Sequence, residues 1–157
     1  LHLLHYPLTI VDGNGKMSKS ENQNATIYLA DDNELIRKKI MKAKTDQGPA
    51  EPNAEKPDYI QNLFTMMKLV SSDDTLQKFE DDFNASSNGN CIIRYGDMKK
   101  QLAEDMVTFI QPIREKAADL LANTDELHRI IKQGADKGRS RASETLKMVR
   151  DAVGLNY

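Results

Sequence analysis

The sequence has few of the residues that build disulfide-linked, metal-cluster or membrane-spanning proteins. Cys91 is its single cysteine and it contains no tryptophan, so neither an internal disulfide nor a cluster of thiolate ligands can form. No apolar run reaches the roughly 20 residues that a membrane helix needs, and residues 1–6 lack the basic start and cleavage site of a signal peptide. These absences predict a cytoplasmic protein.

The 157 residues that are present are 39% hydrophobic and 29% charged, a composition typical of one charge-rich, mostly helical domain, with room for part of another. Charge is segregated although the formal net charge is only −2. Basic clusters at 37–44 and 129–150 flank an acidic segment at 73–82. Such segregation can direct a polyanion toward some faces of a protein, although solvated helix faces explain most single charge runs.

One short loop stands out. The pentapeptide Lys16-Met17-Ser18-Lys19-Ser20 directly follows a turn that contains Gly13 and Gly15. Glycines allow positive φ, lysines supply mobile charges, and serine hydroxyls can donate hydrogen bonds to phosphate oxygens. The pattern is typical of a loop that holds phosphates. Basic, serine-containing runs also occur on solvated surfaces, so its function stays a hypothesis until the structural context is known.

Periodicity and capping residues predict three helices in the first half of the chain. Asp31, followed three residues later by Glu34, forms an acidic capping box that begins the first helix. The second helix follows Pro57 and carries an apolar stripe at helical spacing, formed by Ile60, Leu63, Phe64 and Met67. Ser72 is expected to cap the third helix.

Two longer helices are predicted in the second half. The first has one apolar face, formed by Tyr95, Met98, Leu102, Met106, Phe109, Ile113, Ala117 and Leu120, and Pro112 should bend or interrupt it. The last begins at Thr124 and ends at Gly154. Residues 1–11 are interpreted as a short extended piece, the end of a sheet. The predicted fold is therefore mainly α: an antiparallel bundle of about five helices attached to a short β-edge.

The pentapeptide and several less specific stretches resemble bacterial-type tryptophanyl-tRNA synthetases, which are class I aminoacyl-tRNA synthetases. The pentapeptide matches the family's KMSKS signature at every position. Tyrosyl enzymes, the nearest relatives, usually carry Phe-Gly where this chain has Met17-Ser18, and this difference favours tryptophan. The other matching stretches follow the family's order: Asn24, Ile27 and Leu29; Ile36–Ile40; Ala43 and Thr45-Asp46; Tyr95–Asp97 with Lys99; Gly134-Ala135, Lys137, Ala142, Thr145-Leu146, Val149, Ala152 and Gly154.

This resemblance implies two parts. Residues 1–30 would be the end of a truncated nucleotide-binding α/β catalytic domain that carries the KMSKS loop, and residues 31–157 a helical anticodon-binding domain. In the implied reaction, the carboxylate of tryptophan attacks the α-phosphate of ATP, pyrophosphate leaves, and tryptophan passes to tRNA(Trp). The family's Mg²⁺ would arrive with ATP, so neither a metal site nor a tightly bound cofactor is expected here.

The resemblance also implies roles for particular residues. Lys16 and Lys19 would be catalytic, because they can follow the negative charge that moves onto departing pyrophosphate. The whole loop, Lys16, Met17, Ser18, Lys19 and Ser20, would bind ATP. Gly13 and Gly15 would be its hinges.

Contacts to tRNA are expected from basic helix residues. The best candidates are Lys137, Arg139 and Arg141, followed by Arg37, Lys38 and Lys39, although ordinary solvated charges explain each equally well. The full-length protein is expected to be a homodimer. The chain begins at Leu1 and lacks the family's His-Ile-Gly-His-type signature, so we expect a piece of a longer protein that does not activate tryptophan by itself.

Two alternatives remain open from the sequence. The chain can be a freestanding helical module that binds RNA or protein, with the lysine–serine loop as a phosphate-binding surface that has no catalytic partner. It can also belong to another class I synthetase. An upstream nucleotide-binding fold would exclude the first alternative, and tryptophan-specific activity of the full-length protein would exclude the second.

Overall fold

A computed structural model describes residues 26–155. This part of the chain forms five helices and, apart from one isolated bridge between Ser87 and Asn90, contains no β-structure. The helices are α1 (Asn33–Met41), α2 (Asp58–Val70), α3 (Asp73–Ala85), α4 (Tyr95–Ala122) and α5 (Thr124–Val153). The prediction of a mainly helical protein is confirmed. The predicted β-edge at residues 1–11 lies outside the described residues.

The chain divides into two compact units between Arg114 and Glu115. The first unit contains α1, α2, α3 and most of α4, and the second contains the end of α4 and α5. Pro112 lies inside α4 without interrupting it, so the interruption expected from its missing N–H does not occur. The domain boundary predicted after residue 30 stays a prediction.

The first helix begins one residue later than its capping box predicts. Asp32, with extended backbone, is the N-cap of α1, and its carboxylate accepts a 2.7 Å hydrogen bond from the Leu35 amide. The carboxylate of Asp31 is held instead by the ammonium group of Lys39. The predicted starts at Pro57 and Ser72 are confirmed, and Ser72 caps α3 by accepting from an amide in the first turn.

The apolar core of the first unit is built by α1–α4. The four predicted stripe residues of α2 are all buried, and they join one cluster with apolar residues of the other three helices. Phe64 of α2 and Phe83 of α3 meet edge to face, with ring centroids 6.0 Å apart and planes at 83°, an arrangement that aromatic pairs prefer. This core fixes the position of α1, the helix that carries Lys39.

The buried face of α4 departs from the predicted stripe after Leu102. Val107 and Ile110 are buried, whereas Phe109 and Ile113 are 50% and 41% exposed. The predicted stripe advances by about 3.6 residues per turn, as the helix does, so its period is right. The buried side lies one residue further along: Ala103, Val107 and Ile110 are buried, whereas Met106 is only partly buried.

A single buried hydroxyl organises the connection between α3 and α4. Ser86 Oγ donates to the carbonyl of Asp82 and accepts from the amides of Ile92 and Ile93 at 2.9 and 2.8 Å. Ser86 is fully buried. Buried backbone groups require hydrogen-bond partners. The Ser86 hydroxyl supplies one to each of these two loop amides without any strand pairing.

Gly48 is required in the connection between α1 and α2. Its φ of +110° lies in the region that favours glycine, and an added Cβ would lie 2.4 Å from Sγ of Cys91. Its amide donates to Asp46 Oδ1 at 2.8 Å. The thiol of the single cysteine therefore packs against this turn.

The last helix, α5, has both predicted ends. Asn123 accepts a hydrogen bond from the Glu126 amide at its start, and Gly154, with φ +75°, ends it in the left-handed conformation. None of its residues is buried. Although α4 and α5 have 28 and 30 residues, no helix within residues 26–155 is both long and apolar enough to cross a membrane.

Candidate functional site

The predicted phosphate loop lies outside the described residues. This applies to Lys16, Met17, Ser18, Lys19 and Ser20 and to the predicted hinges Gly13 and Gly15. Their roles stay predictions. Residues 26–32, which follow the loop in the sequence, are described, and we call them the exit segment.

The exit segment is held by a buried lysine. Nζ of Lys39, on α1, lies 2.6 Å from Oδ2 of Asp31 and donates to the carbonyl oxygen of Thr26 at 2.8 Å. The same ammonium group lies 4.8 Å from the ring centroid of Tyr28, within cation–π range. Lys39 is 5% exposed and Asp31 8%. One cation therefore joins three positions of the exit segment to α1.

Two further interactions complete this corner. The amide of Tyr28 donates to the Asp31 carboxylate at 2.9 Å, which closes a local turn. Arg114, from α4, donates to the backbone carbonyl of Asp31 and to the side-chain oxygen of Asn33. The exit segment is thus attached to both α1 and α4.

The burial of Lys39 argues against its predicted contact with tRNA. Its ammonium group is already enclosed by oxygens and an aromatic ring of the chain itself. If the ammonium group moved away, the buried Asp31 carboxylate would lose its counter-charge, which is strongly destabilising. Lys39 is therefore a buried cation bound to the exit segment, and its contact with tRNA stays a prediction.

Its neighbours on α1 are accessible, but one of them is already paired. Arg37 donates to both carboxylate oxygens of Glu104, at 2.7 and 2.8 Å. This hydrogen-bonded pairing raises the pKa of Arg37 and lowers that of Glu104. A phosphate would have to displace Glu104 to bind Arg37. Lys38 is exposed on the same helix.

The three candidates on α5 are all exposed, but they do not share one face. Lys137 and Arg141 are one helical turn apart, whereas Arg139, two positions after Lys137, points to the opposite side. Arg139 contacts Asp136 at 3.1 Å in an exposed pair on its own helix. The predicted cluster is therefore two separate groups of cations.

Helical spacing adds two residues to the Arg139 side. Lys132 lies seven positions before Arg139, and Arg150 lies eleven positions after it, so all three occupy one face of α5. Together they form a basic row about 27 Å long at 1.5 Å per residue. Both added residues are exposed. The periodicity that identifies apolar stripes would have identified this row from the sequence.

A row of exposed cations on a rigid helix can contact successive phosphates of a nucleic acid. Such contacts supply affinity and register, and they are independent of base identity. A phosphate must compete with Asp136 for the guanidinium group of Arg139, but an exposed pair of this kind is weak and easily exchanged. The chemistry of this face is therefore that of polyanion binding.

Comparison with known proteins identifies the family. The family model described as tRNA synthetases class I (W and Y) matches residues 1–111, a span that includes the predicted phosphate loop. This chain belongs to the class I tRNA synthetases.

Similar curated proteins of this synthetase family are named tryptophan–tRNA ligase. That of Porphyromonas gingivalis is 49% identical over 145 residues, which is 92% of this chain and 42% of the relative. That of Rickettsia felis is 35% identical over 150 residues, which is 94% of this chain and 43% of the relative. The chain thus spans a little over two fifths of the length of these relatives.

Solved synthetase structures resemble the fold as well. The tryptophanyl-tRNA synthetase of Mycoplasma pneumoniae matches with a TM-score of 0.74 and 26% identity, over 96% of this chain and 44% of that one. A Campylobacter jejuni tryptophanyl-tRNA synthetase complexed with ADP and tryptophan matches with a TM-score of 0.63 and 26% identity, over 94% of this chain and 44% of that one. The helical fold is thus shared with synthetases of known structure.

Proposed function

We propose that this chain is the carboxy-terminal part of a tryptophan–tRNA ligase and that it supplies the ATP-phosphate loop and the tRNA-binding helices. The observation that carries the proposal is the 49% identity to a tryptophan–tRNA ligase over 92% of the chain. The family itself includes both W and Y enzymes, and the names of the relatives favour tryptophan. They do not favour a freestanding binding module.

In this proposal, Lys16 and Lys19 stabilise negative charge on pyrophosphate as it leaves the α-phosphate of ATP. Stabilisation that grows toward the transition state raises the rate rather than the affinity alone. Ser18 and Ser20 hold phosphate oxygens and Met17 anchors the loop by packing. Mg²⁺ enters with ATP, and tryptophan binds in the part of the full-length enzyme that precedes this chain.

The first experiment is tryptophan-dependent ATP–pyrophosphate exchange by the full-length gene product, with tyrosine as the competing substrate. We expect exchange with tryptophan, and we expect Lys19→Ala to lower kcat about 100-fold, as the removal of a transition-state charge donor does. Lys42→Ala is the matched control. It replaces an exposed lysine at the C-cap of α1 and should retain the wild-type rate. Absence of tryptophan-dependent exchange, or preference for tyrosine, would overturn the proposal.

For tRNA binding, we propose the basic row Lys132, Arg139 and Arg150 as the main phosphate contact of α5. The row has three aligned cations, whereas the other side of the helix offers Lys137 and Arg141. Supporting observations are the exposure of the row and its length, which spans several phosphates. Contacts to phosphates do not determine which bases of the tRNA are recognised.

The two sides of α5 offer a matched test. Arg139→Glu/Arg150→Glu and Lys137→Glu/Arg141→Glu change the net charge equally, so a general electrostatic effect is the same in both. We expect the first variant to raise the tRNA Michaelis constant roughly tenfold and to flatten its dependence on salt, since fewer counterions are released on binding. Pyrophosphate exchange should be unchanged. Equal effects of the two variants would contradict the assignment of the row.

The proposal extends to the setting of the full-length protein. We place it in the cytoplasm as a homodimer, as the resemblance implies. Sedimentation of the full-length gene product at several concentrations tests the second statement: a monomer at micromolar concentration would contradict it.

A further inference from the structure

The connection between α3 and α4 reverses direction at Asn88-Gly89. The Ser87 amide donates to the Asn90 carbonyl at 3.2 Å, and the Asn90 amide donates to the Ser87 carbonyl at 3.0 Å. These two hydrogen bonds enclose Asn88 and Gly89 as a two-residue turn, which we call the tip. Gly89 has a φ of +82°, a left-handed value that glycine adopts without strain. The turn therefore favours glycine directly after an asparagine.

An asparagine that is followed by glycine can be attacked by its own backbone, and asparagine is among the thermolabile residues of proteins. The amide nitrogen of the glycine loses its proton and forms a bond to the side-chain carbon Cγ. The bond between Cγ and Nδ2 breaks, and Nδ2 leaves as ammonia. Water then adds to one carbonyl of the resulting five-membered imide and opens it, which yields aspartate or isoaspartate. Water is the only co-reactant.

Both reacting groups of the tip are accessible. Asn88 and Gly89 are exposed. Within residues 26–155, neither the N–H of Gly89 nor the side-chain amide of Asn88 forms a hydrogen bond. The space beside Gly89 is open as well, because an added Cβ would meet no atom within 4 Å. The Asn88 side chain is therefore free to approach the nitrogen that attacks it.

The two neighbouring asparagines lack this combination. Asn84 and the residue after it, Ala85, both belong to the last turn of α3, where the backbone is held in helical geometry. Asn90 is followed by Cys91, whose side chain hinders the approach of the attacking nitrogen. Three asparagines in one short segment thus differ in the residue that follows them, and only Asn88 precedes a glycine.

The tip also holds two connections of the first unit together. The Asn88 amide donates to the carbonyl of Ala50, in the connection between α1 and α2, at 3.0 Å. Isoaspartate routes the backbone through Cβ and Cγ, which lengthens the chain by one atom and leaves a free carboxylate on Cα. The hydrogen bonds on both sides of the tip cannot keep their geometry along a longer backbone.

We propose that Asn88 is a site of spontaneous deamidation in the folded protein, and that its isoaspartyl product detaches the tip from Ala50. The test keeps the full-length gene product folded at pH 7 and at pH 9 and digests samples with trypsin over several weeks. Cleavage after Lys78 and Arg94 releases residues 79–94, which contain all three asparagines. Fragment spectra locate the mass increase of deamidation, and methylation by an isoaspartyl methyltransferase identifies the isoaspartyl product.

Asn88→Gln is the matched control. Its longer side chain would have to form a six-membered ring, which closes more slowly. The variant keeps the second Asn-Gly sequence of the chain, Asn14-Gly15, which lies outside the described residues. Any effect of ageing at Asn14 therefore occurs equally in wild type and in the variant.

We expect deamidation at Asn88, faster at pH 9 than at pH 7 because the attacking nitrogen must lose its proton, with Asn84 and Asn90 unchanged. Aged wild type should melt at a lower temperature than fresh protein, and Asn88→Gln should lose less on ageing. If Asn88 stays intact in the folded protein, the proposal is overturned, and its conversion after unfolding in urea would then show that the turn protects it. Equal losses of melting temperature in both proteins would overturn the detachment of the tip.

Discussion

Positive charges are used differently in the two compact units. In the first unit several are buried or half-buried and are bound by the protein itself: Lys39 by the exit segment, Lys56 by Glu80, and Lys99 by the carbonyls of Met41 and Ala43 at the end of α1. Burial lowers the pKa of Lys99, as expected for an ammonium group taken out of water.

In the second unit the cations remain at the surface. Arg129 and Arg139 pair with acids three residues earlier on α5, and both pairs are exposed. The side chains are therefore free to exchange these partners for a phosphate at small cost. A count of basic residues gives both regions the same polyanion-binding character, but among the described residues the buried and half-buried cations all lie in the first unit, and every basic residue of α5 is exposed.

Apolar residues differ between the units in the same way, which leads to the largest expected effect. Phe64→Ala should destabilise the protein by about 3–5 kcal/mol, because it leaves a cavity among packed residues of the first unit. Ile131→Ala, on α5, removes a side chain that is 57% exposed and should change stability by less than about 0.5 kcal/mol. Urea unfolding of both variants measures the difference. Similar losses would show that Ile131 is buried in solution.

The second prediction compares two serines. Ser86→Ala should cost about 2–3 kcal/mol, because it leaves the amides of Ile92 and Ile93 without their acceptor inside the fold. Ser140→Ala, at an exposed position in the middle of α5, should be neutral or slightly stabilising, since alanine favours helix. Urea midpoints at constant slope separate the two. A neutral Ser86→Ala would mean that water replaces the hydroxyl.

The third prediction concerns pH. Burial, and next the charge of Asp46, raise the pKa of Tyr95 above its ordinary value of 10.0. The unfolded chain then loses this proton at lower pH than the folded chain does, so the contribution of Tyr95 is complete below pH 10 and is lost as pH rises above it. Free energies of unfolding between pH 8 and pH 11 should fall more steeply for wild type than for Tyr95→Phe. Parallel curves would contradict this.

The smallest effect is expected at an exposed pair of the second unit. Arg129 and Glu126 are joined at 2.7 Å, and their hydrogen bond lowers the pKa of Glu126. Any stability from this pair is present above the ordinary pKa of 4.5 and is lost as pH falls through the lowered value. Arg129→Gln should leave the melting temperature at pH 7 unchanged within error. A clear decrease would place Arg129 in a packed environment.

Local features of this fold could be predicted from the sequence. The α2 stripe, the Ser72 cap and the Gly154 end depend on residues a few positions apart, and periodicity and capping preferences report on that range. The predicted face of α4 was wrong beyond Leu102, because the side of a helix that is buried depends on the neighbouring helices and not only on the helix's own period. The family was recognised from a motif, which needs no coordinates.

Features that depend on tertiary contacts could not be predicted. Lys39 is adjacent to Lys38 and looks the same in the sequence, but the folding of Thr26 and Asp31 back onto α1 makes one of them structural and leaves the other exposed. The pairing of Arg37 with Glu104 joins positions 67 residues apart. No local pattern reports on such a partner. The proposed sites at Lys16–Ser20 stay predictions.

The hydroxyl of Ser86 has a consequence for hydrogen–deuterium exchange. Slow exchange of an amide is usually read as a sign of helix or sheet, yet the amides of Ile92 and Ile93 belong to neither and still donate to a buried acceptor. They should exchange only when this connection opens. Two isolated slow amides in an otherwise fast-exchanging loop would therefore time the opening of the connection between α3 and α4, residue by residue, in the native protein.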